Sequence, residues 1–280
     1  MGKRLVLLAW FYCLPVRADL QVTVKAATYN LQGWGPNSET RQRLFARHVK
    51  QHQLLKDASM LMVQESIHGD SYSTASQLAN ALGWKSYSQR RRSDREGLGF
   101  VYPPSTQVLT FKSLHLMSKD SIRDYDRMAM SVQIKHPVIG PLRFINTHLA
   151  HAPYMNSARE RQLVEIIDWV RRLEKSAPSN QLIFGGDFNT GPDETYYRGE
   201  VGVLKRSAFN FDLIESFGAP FTWIDRSANL RELIDHFFVP STRFSWSVQK
   251  AKTEVLSFPT DQKLSDHNLA ILTASFSKGT

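Results

Sequence analysis

Short apolar runs, each bounded by glycine, proline or polar turn residues, dominate the pattern of hydrophobic positions along this chain. Runs of this length, rich in β-branched and aromatic residues, are typical of β-strands. The pattern predicts strands at 22–30, 59–66, 97–104, 106–117, 127–136, 141–150, 181–189, 233–239 and 268–276. The fifth and sixth of these flank Pro137 and Gly140, and we expect them to form a hairpin.

Three longer segments, 38–57, 73–82 and 157–175, show the spacing of amphipathic helices instead. In the third, Ser157 and Glu160 have the spacing of a capping box at the helix start. Its apolar residues fall on one face, namely Leu163, Ile166, Ile167, Val170 and Leu173. Gly83, directly after the second segment, suits the left-handed C-cap that ends many helices.

Many strands, few helices and strand pairs of both directions indicate an α/β fold in which two mixed sheets form a sandwich. A chain of 280 residues is long enough for two average domains, but α/β folds of this size often form one. The sequence contains no internal repeat, low-complexity tract or Pro/Gly/Ser-rich linker. We therefore expect residues 19–280 to form a single domain.

Residues 1–18 differ in character from the rest of the chain. Lys3 and Arg4 precede an apolar run, and Val-Arg-Ala at 16–18 fits the small-residue cleavage pattern. These features predict a signal peptide that is removed before Asp19, and therefore a secreted or periplasmic protein. An uncleaved membrane or lipid-docked anchor is the alternative, although the apolar run is too short to span a bilayer.

Cysteine content and charge narrow the chemistry further. The single cysteine, Cys13, lies in the leader, so the mature chain would have no disulfide, no cysteine nucleophile and no thiolate metal site. The full chain carries a net charge of +9, and removing the three basic leader residues leaves 32 basic against 26 acidic residues, or +6. This surplus favours an anionic partner such as nucleic acid or an acidic lipid surface, although solubility alone explains a charge of this size equally well.

Polar side chains recur at the ends of the apolar runs. They occur in six separate segments, as Asn30, Glu65, His148, Asp187 with Asn189, Asp235 with His236, and Asp266 with His267. Each has an ordinary structural explanation when taken alone: an Asx-type turn in GGDFNT, a satisfied core histidine, or a helix cap. Six segments that all end in carboxylate, amide or imidazole favour one shared site, because sites are built on loops held by a rigid scaffold.

The residue types in this set agree on one chemistry. Carboxylate and amide oxygens suit Mg²⁺ or Mn²⁺ rather than zinc. Histidines with carboxylate partners suit acid–base catalysis near neutral pH. Together they indicate metal-assisted attack of water on a phosphate ester.

The motifs QES, NTHL, GGDFN, IDHFFV and SDHNLA, in this order across residues 24–272, resemble the endonuclease/exonuclease/phosphatase superfamily. The resemblance extends to secreted bacterial members such as the nuclease subunit of cytolethal distending toxins. It implies a four-layer α/β/β/α sandwich of two mixed β-sheets, with the site at one end of the sheets. It also implies a metal-dependent phosphoester hydrolase that uses Mg²⁺, with Mn²⁺ as a possible substitute.

The resemblance also implies a role for each matching residue. Asn30 and Glu65 match the metal site, with Glu65 as the principal ligand, and Asp266 matches a further acid near the metal. Two looser matches concern the substrate: Glu96 falls where deoxyribonucleases carry an acid that partners the NTHL histidine, and Arg127 where they carry a phosphate-contacting arginine. A surface salt bridge explains Glu96 equally well.

The catalytic residues follow from the same motifs. His148 matches the histidine that contacts or protonates the scissile phosphate. Asp187 and Asn189 match the pair that orients water and holds a phosphate oxygen. His267 matches the general base, and Asp235 matches the carboxylate that polarises it.

The substrate is the point on which the sequence leaves alternatives open. QRRRSDRE at 89–96 offers basic residues for a nucleic-acid groove, and Trp34 is placed to meet a base or sugar; a solvated loop explains the arginines equally well. A nuclease acting on DNA or RNA is the first hypothesis and a lipid phosphodiesterase or phosphatase, acting on an anionic lipid, is the second. A catalytically dead secreted binding protein is disfavoured because every motif position carries a competent residue. We expect a monomer.

Overall fold

The predicted strands pair into two large sheets. This computed structural model describes residues 20–32, 38–92, 94–118, 126–151, 156–191, 197–219, 221–225, 230–241, 244–258 and 265–278, so the leader and Trp34 lie outside the described residues. In chain order the strands are β1 (Gln21–Asn30), β2 (Ala58–Gln64), β3 (Lys85–Arg90), β4 (Gly97–Tyr102), β5 (Val108–His115), β6 (Met128–His136), β7 (Gly140–His148), β8 (Gln181–Asp187), β9 (Phe211–Leu213), β10 (Ser216–Gly218), β11 (Trp223–Asp225), β12 (Leu230–Glu232), β13 (Asp235–Pro240), β14 (Trp246–Leu256) and β15 (Leu269–Lys278).

The first sheet has the order β10-β14-β15-β1-β2-β4-β3, the second has the order β5-β6-β7-β8-β13-β9, and β11 and β12 form a separate ribbon. Both large sheets are mixed: β1 with β2 and β7 with β8 are parallel, whereas most other neighbours are antiparallel. All nine predicted strands form. Sequence reasoning missed β3 and β14 because they are rich in polar residues, and it missed β9–β12 because each is only 3 residues long.

Four helices cover the outer faces of the two sheets in the described residues: α1 (Ser38–Gln51), α2 (Thr74–Leu82), α3 (Asn156–Ser176) and α4 (Tyr197–Arg206). One apolar core lies between the sheets, a second packs α1 and α2 on the first sheet, and a third packs α3 and α4 on the second. The expected four-layer α/β/β/α sandwich is therefore confirmed. No helix among the described residues is both long and apolar enough to cross a membrane.

The helix ends correct two predictions. The first helix ends at Gln51 rather than at residue 57, and turns follow it. The third begins at Asn156, so Ser157 lies within the first turn instead of capping it. The second helix behaves as predicted at its end, where Gly83 adopts a left-handed φ of 76° that a side chain would strain. The helix α4 was not predicted, since two glycines interrupt its pattern.

A buried polar layer joins the sheets directly below the strand ends. The fully buried Asn146 donates through Nδ2 to the carbonyls of Val63 and Gly99, both at 3.0 Å. Its Oδ1 accepts from Gln64 Nε2 at 2.7 Å, and the same nitrogen donates to Thr28 at 2.9 Å. Because these groups are fully removed from water, their partners fix how the two sheets sit on each other.

Strand register places four polar side chains and one methionine in a row at one end of the second sheet. Residues His115, Met128, His148, Asp187 and Asp235 lie opposite one another across β5, β6, β7, β8 and β13. Residues paired in register point to the same face of a sheet, and Met128 belongs to the core between the sheets. The whole row therefore faces the first sheet.

Candidate active site

The predicted site residues converge at one end of the sandwich. The parallel strands β1 and β2 bring Asn30 and Glu65 to the same end of the first sheet. The parallel strands β7 and β8 bring His148 and Asp187 to the facing end of the second sheet. His267 precedes β15, which runs antiparallel to β1, so it reaches the same end.

His267 and Asp235 form a hydrogen-bonded pair. The Nδ1 atom of His267 lies 2.8 Å from Oδ2 of Asp235, and both residues are buried. The hydroxyl of Thr222 accepts from the backbone N–H groups of Ile234 and Asp235, both at 2.9 Å, and so fixes the start of β13. Because Nδ1 of His267 is engaged by Asp235, Nε2 is the ring atom that faces the rest of the site.

A second group of contacts centres on Asp187. Its Oδ2 accepts from Asn30 Nδ2 at 2.9 Å, and the same amide nitrogen donates to Oε1 of Glu65 at 3.1 Å. Nε2 of His148 lies 3.6 Å and Nε2 of His267 lies 3.7 Å from this Oδ2 atom. One carboxylate thus has an imidazole on each of two sides.

The charges around the two histidines shift their pKa values in opposite directions. Burial alone would lower the pKa of His267, but Asp235, Asp187 and Asp266 together raise it to about 10. Burial, assisted by Arg127 and Arg91, holds the pKa of His148 well below its usual range. In the protein alone His267 is therefore protonated and His148 is neutral at pH 7.

Burial of the carboxylates at the site opposes their ionisation. Burial, reinforced by the nearby Asp235, raises the pKa of Asp187 to about 6. Burial also raises the pKa of Glu65, which the hydrogen bond from Asn30 partly offsets. A cation between these oxygens would relieve the cost of burying them.

Three non-glycine residues at the site have left-handed backbones: Gln32 with φ 52°, Glu65 with φ 53° and Asn189 with φ 51°. Strained positions of this kind cluster at functional sites, where the surroundings enforce them. Gln32 was missed by sequence reasoning. Its N–H donates to Oδ1 of Asn30 at 2.8 Å, and its Oε1 accepts from the Asp266 N–H at 3.0 Å.

Two predicted residues have structural contacts of their own. The Nδ2 atom of Asn189 donates to the carbonyl of Leu149 at 3.0 Å, which leaves its second N–H as a donor for a ligand. Asp266 Oδ1 lies 3.9 Å from Nε2 of His267, while its other oxygen accepts from Trp223 Nε1 at 3.2 Å. Both residues border the site.

Arg127 lies close enough to His148 to lower its pKa, and Glu96 lies close to Glu65 and Arg127. The carboxylate of Glu96 pairs with the guanidinium of Arg91, which Asp94 also contacts at 3.2 Å. Glu96 therefore forms a salt bridge, which was the second explanation offered for this residue. Arg91 and Arg127 are both buried and both lower the pKa of His148. The positive charge beside this histidine therefore comes from two arginines. Sequence reasoning assigned only Arg127 to the site.

The sequence model of the Endonuclease/Exonuclease/phosphatase family matches residues 27–267, a span that includes all the residues of this cluster. The chain belongs to this family. It is a phosphoesterase of a family whose members are metal-dependent phosphoester hydrolases. Among curated proteins, none is significantly similar to it in sequence.

Solved structures of the same fold include an endonuclease/exonuclease/phosphatase from Bacteroides vulgatus, 19% identical with a TM-score of 0.70 over 92% of this chain and 100% of that one. Beta toxin from Staphylococcus aureus is 16% identical, with a TM-score of 0.70 over 89% and 99%. The mannosyl-6-phosphatase of Bacteroides thetaiotaomicron is 16% identical, with a TM-score of 0.64 over 89% and 98%. At these identities the likeness concerns the fold.

The donor set fits the divalent cation that the family requires. Atoms of Asp187, Asp235 and His267 lie within 4.8 Å of one another. Asp235 and His267 already share a hydrogen bond, whereas the oxygens of Asp187 and Glu65 share the amide nitrogen of Asn30 and could also bind a cation. Buried carboxylates with raised pKa values, held on one amide nitrogen, are the hard ligands that Mg²⁺ and Mn²⁺ prefer.

Proposed function

We propose that this chain is a Mg²⁺-dependent phosphodiesterase that hydrolyses nucleic acid, with Mn²⁺ able to replace Mg²⁺. The observation that carries the proposal is the pair of imidazoles that flank one carboxylate. His148 and His267 each place Nε2 within 3.7 Å of the same oxygen of Asp187. Two nitrogens converging on one point supply the two proton-transfer groups that hydrolysis of a phosphodiester needs, one for the water and one for the leaving oxygen.

His267 acts as the general base. Its Nδ1–H is held by Asp235, so Nε2 is the atom that receives the proton from water. Asp235 fixes the ring orientation and stabilises the imidazolium that forms, as the carboxylate of a hydrolase triad does. Thr222 keeps this carboxylate in place through the backbone of β13.

His148 acts on the opposite side, as the group that stabilises or protonates the leaving oxygen. Because burial, assisted by Arg127 and Arg91, opposes its protonation, the ring stays neutral until an anionic phosphate arrives and favours the charged form. Asp187 orients the attacking water, and the second N–H of Asn189 holds a phosphate oxygen. General acid–base assistance of this kind contributes about 10²–10⁴-fold.

A divalent cation held by Glu65, Asp187 and Asp266 would neutralise charge on the phosphate oxygens and, by offsetting these carboxylates, lower the pKa of His267 toward neutrality.

Nucleic acid is favoured as the substrate by charge. Residues 85–118, which lead from β3 to the end of β5 beside the site, contain six basic and two acidic residues. Both acids, Asp94 and Glu96, pair with Arg91, whereas Arg90, Arg92 and Arg95 are exposed. A phosphate backbone is the polymer that such a basic border attracts.

The test is a parallel assay with Mg²⁺, with Mn²⁺ and with EDTA on supercoiled plasmid, sphingomyelin vesicles and phosphoinositides. We expect plasmid nicking that EDTA and His267→Ala abolish. Replacement of His52, an exposed histidine in the turn after α1, by alanine should leave nicking intact. Hydrolysis of lipid without nicking would replace the nuclease by a lipid phosphodiesterase or phosphatase. Absence of metal-dependent hydrolysis on all three substrates would contradict the proposal.

We further propose that residues 1–18 direct secretion and are removed. Intact-mass measurement of the protein exported by a bacterial host should give a chain that begins at Asp19. A mass that retains the leader would favour the uncleaved anchor instead.

A further inference from the structure

The edge strands of the two sheets meet on one side of the sandwich. β3 ends the first sheet and β5 begins the second. The rings of Tyr87 on β3 and Phe111 on β5 stack across this junction, with centroids 4.1 Å apart and planes 17° apart. Tyr87 retains 37% of its surface exposed. An aromatic ring at a protein edge with one face braced by a second ring is a preformed stacking platform.

Strand register connects this platform to the active site. His115 lies at the end of β5 in the same row as His148, two strands away, or about 10 Å at the usual strand spacing. Phe111 lies four residues further back along β5, or about 13 Å. The Nδ1 atom of His115 is buried without a hydrogen-bond partner among the described residues. A row of inward-facing side chains thus leads from the reacting centre to the edge of the sandwich.

The exposed charges on β3 and directly after it are positive, while the acidic Asp126 also lies close to His115. Arg92, exposed after the end of β3, is close enough to His115 to reinforce the lowering of its pKa by burial. Arg90 and Lys85 flank Tyr87 on its own strand and are also exposed. A flat aromatic ring on an edge strand that carries exposed cations matches a polymer that alternates flat bases with phosphates, whereas a membrane surface would offer phosphates without bases.

We infer that this edge, defined by Tyr87, Phe111 and Arg92, is a binding site for nucleotides beyond the scissile bond. A base stacks on Tyr87, and Arg92 contacts a neighbouring phosphate. The inference rests on the proposed nuclease function and specifies its substrate: a strand with unpaired bases at this edge, since a base must be unstacked from its partner to lie on the ring.

The experiment measures binding without cleavage. Fluorescence anisotropy would follow a labelled single-stranded oligonucleotide, and separately labelled heparin, on the full chain carrying His267→Ala in EDTA. Tyr87→Ala should raise the Kd for the oligonucleotide about fivefold or more, while the Kd for heparin, which has no bases, changes less than about twofold. Arg92→Ala should weaken binding of both polymers. Phe217→Ala is the matched control, because Phe217 is 44% exposed, on β10 at the opposite edge of the first sheet, and carries Lys252 above its ring.

Two further substitutions separate stacking from folding. Tyr87→Phe keeps the ring and should bind as the parent does, whereas Tyr87→Leu keeps apolar contact with Phe111 and should bind as weakly as Tyr87→Ala. Unchanged oligonucleotide binding in Tyr87→Leu, or an equal loss in Phe217→Ala, would overturn the inference. Weaker binding to anionic phospholipid vesicles with unchanged binding to the oligonucleotide would also overturn it. Plasmid nicking by the otherwise unaltered chain would stand in each of these cases, so failure here is distinguishable from failure of the nuclease proposal.

Discussion

Replacing Asp235 by asparagine removes one charge from the centre of the site and leaves its shape almost unchanged. At an effective dielectric constant of about 20, unit charges 2.8 Å apart attract by about 6 kcal/mol. That energy corresponds to about four pH units of pKa and accounts for most of the rise of the His267 pKa from 6.5 to about 10 against burial. In Asp235→Asn the pKa of His267 should therefore fall by at least about two pH units.

The same substitution should remove most of the activity. An asparagine amide can donate to Nδ1 of His267 and so trap the ring with its proton on Nε2, where it cannot accept one from water. Loss of the correct tautomer is worth about 10⁴-fold in a serine hydrolase triad, and we expect kcat to fall by about 10³-fold or more with little change in KM.

Two measurements check this prediction: steady-state kinetics on a soluble phosphodiester, and NMR titration of the His267 ring in the metal-free protein. Asp168→Asn is the matched control, because Asp168 is an exposed partner of Arg171 on α3 at 3.2 Å. Circular dichroism should show that both variants are folded at the assay temperature. If Asp235→Asn kept the parental kcat, or if the His267 pKa did not move, the assignment of the pair would be wrong.

Other consequences can be tested together. In the metal-free protein, protonated His267 stabilises the fold below pH 6.5 and this contribution is lost as pH rises through about 10; urea unfolding should show that decline, and His267→Gln should flatten it. Glu65→Gln should weaken Mg²⁺ binding in calorimetry by about tenfold or more, without lowering the melting temperature. Asn146→Ala should cost about 3 kcal/mol in urea unfolding, since it removes three hydrogen bonds between buried groups of the two sheets. Glu200→Ala should cost about 3–5 kcal/mol, because it removes the carboxylate 2.7 Å from the fully buried Arg159; an exposed pair such as Lys205 with Asp212 should lose under about 1 kcal/mol in the same assay.

The amino-acid sequence by itself determined nine of the fifteen strands in the described residues, the three longer amphipathic segments that form helices and the identity of most polar groups at the site. Apolar periodicity is a local property, so β1, β2 and α3 could be read from it without knowing their neighbours. The polar residues at strand ends stood out for the same reason, because a carboxylate such as Asp187 directly after a buried strand carries a cost that needs an explanation.

Only the tertiary structure decided how these groups act on one another. Gln32 and Thr222 have no distinguishing pattern, and they matter because folding brings Gln32 to Asp266 and Thr222 to Asp235. The opposite pKa shifts of His148 and His267 depend on which charges lie within a few ångströms in space, and the stacking of Tyr87 on Phe111 depends on which edge strands meet. Electrostatic energies and ring contacts fall off steeply with distance through space, and distance along the chain does not predict them.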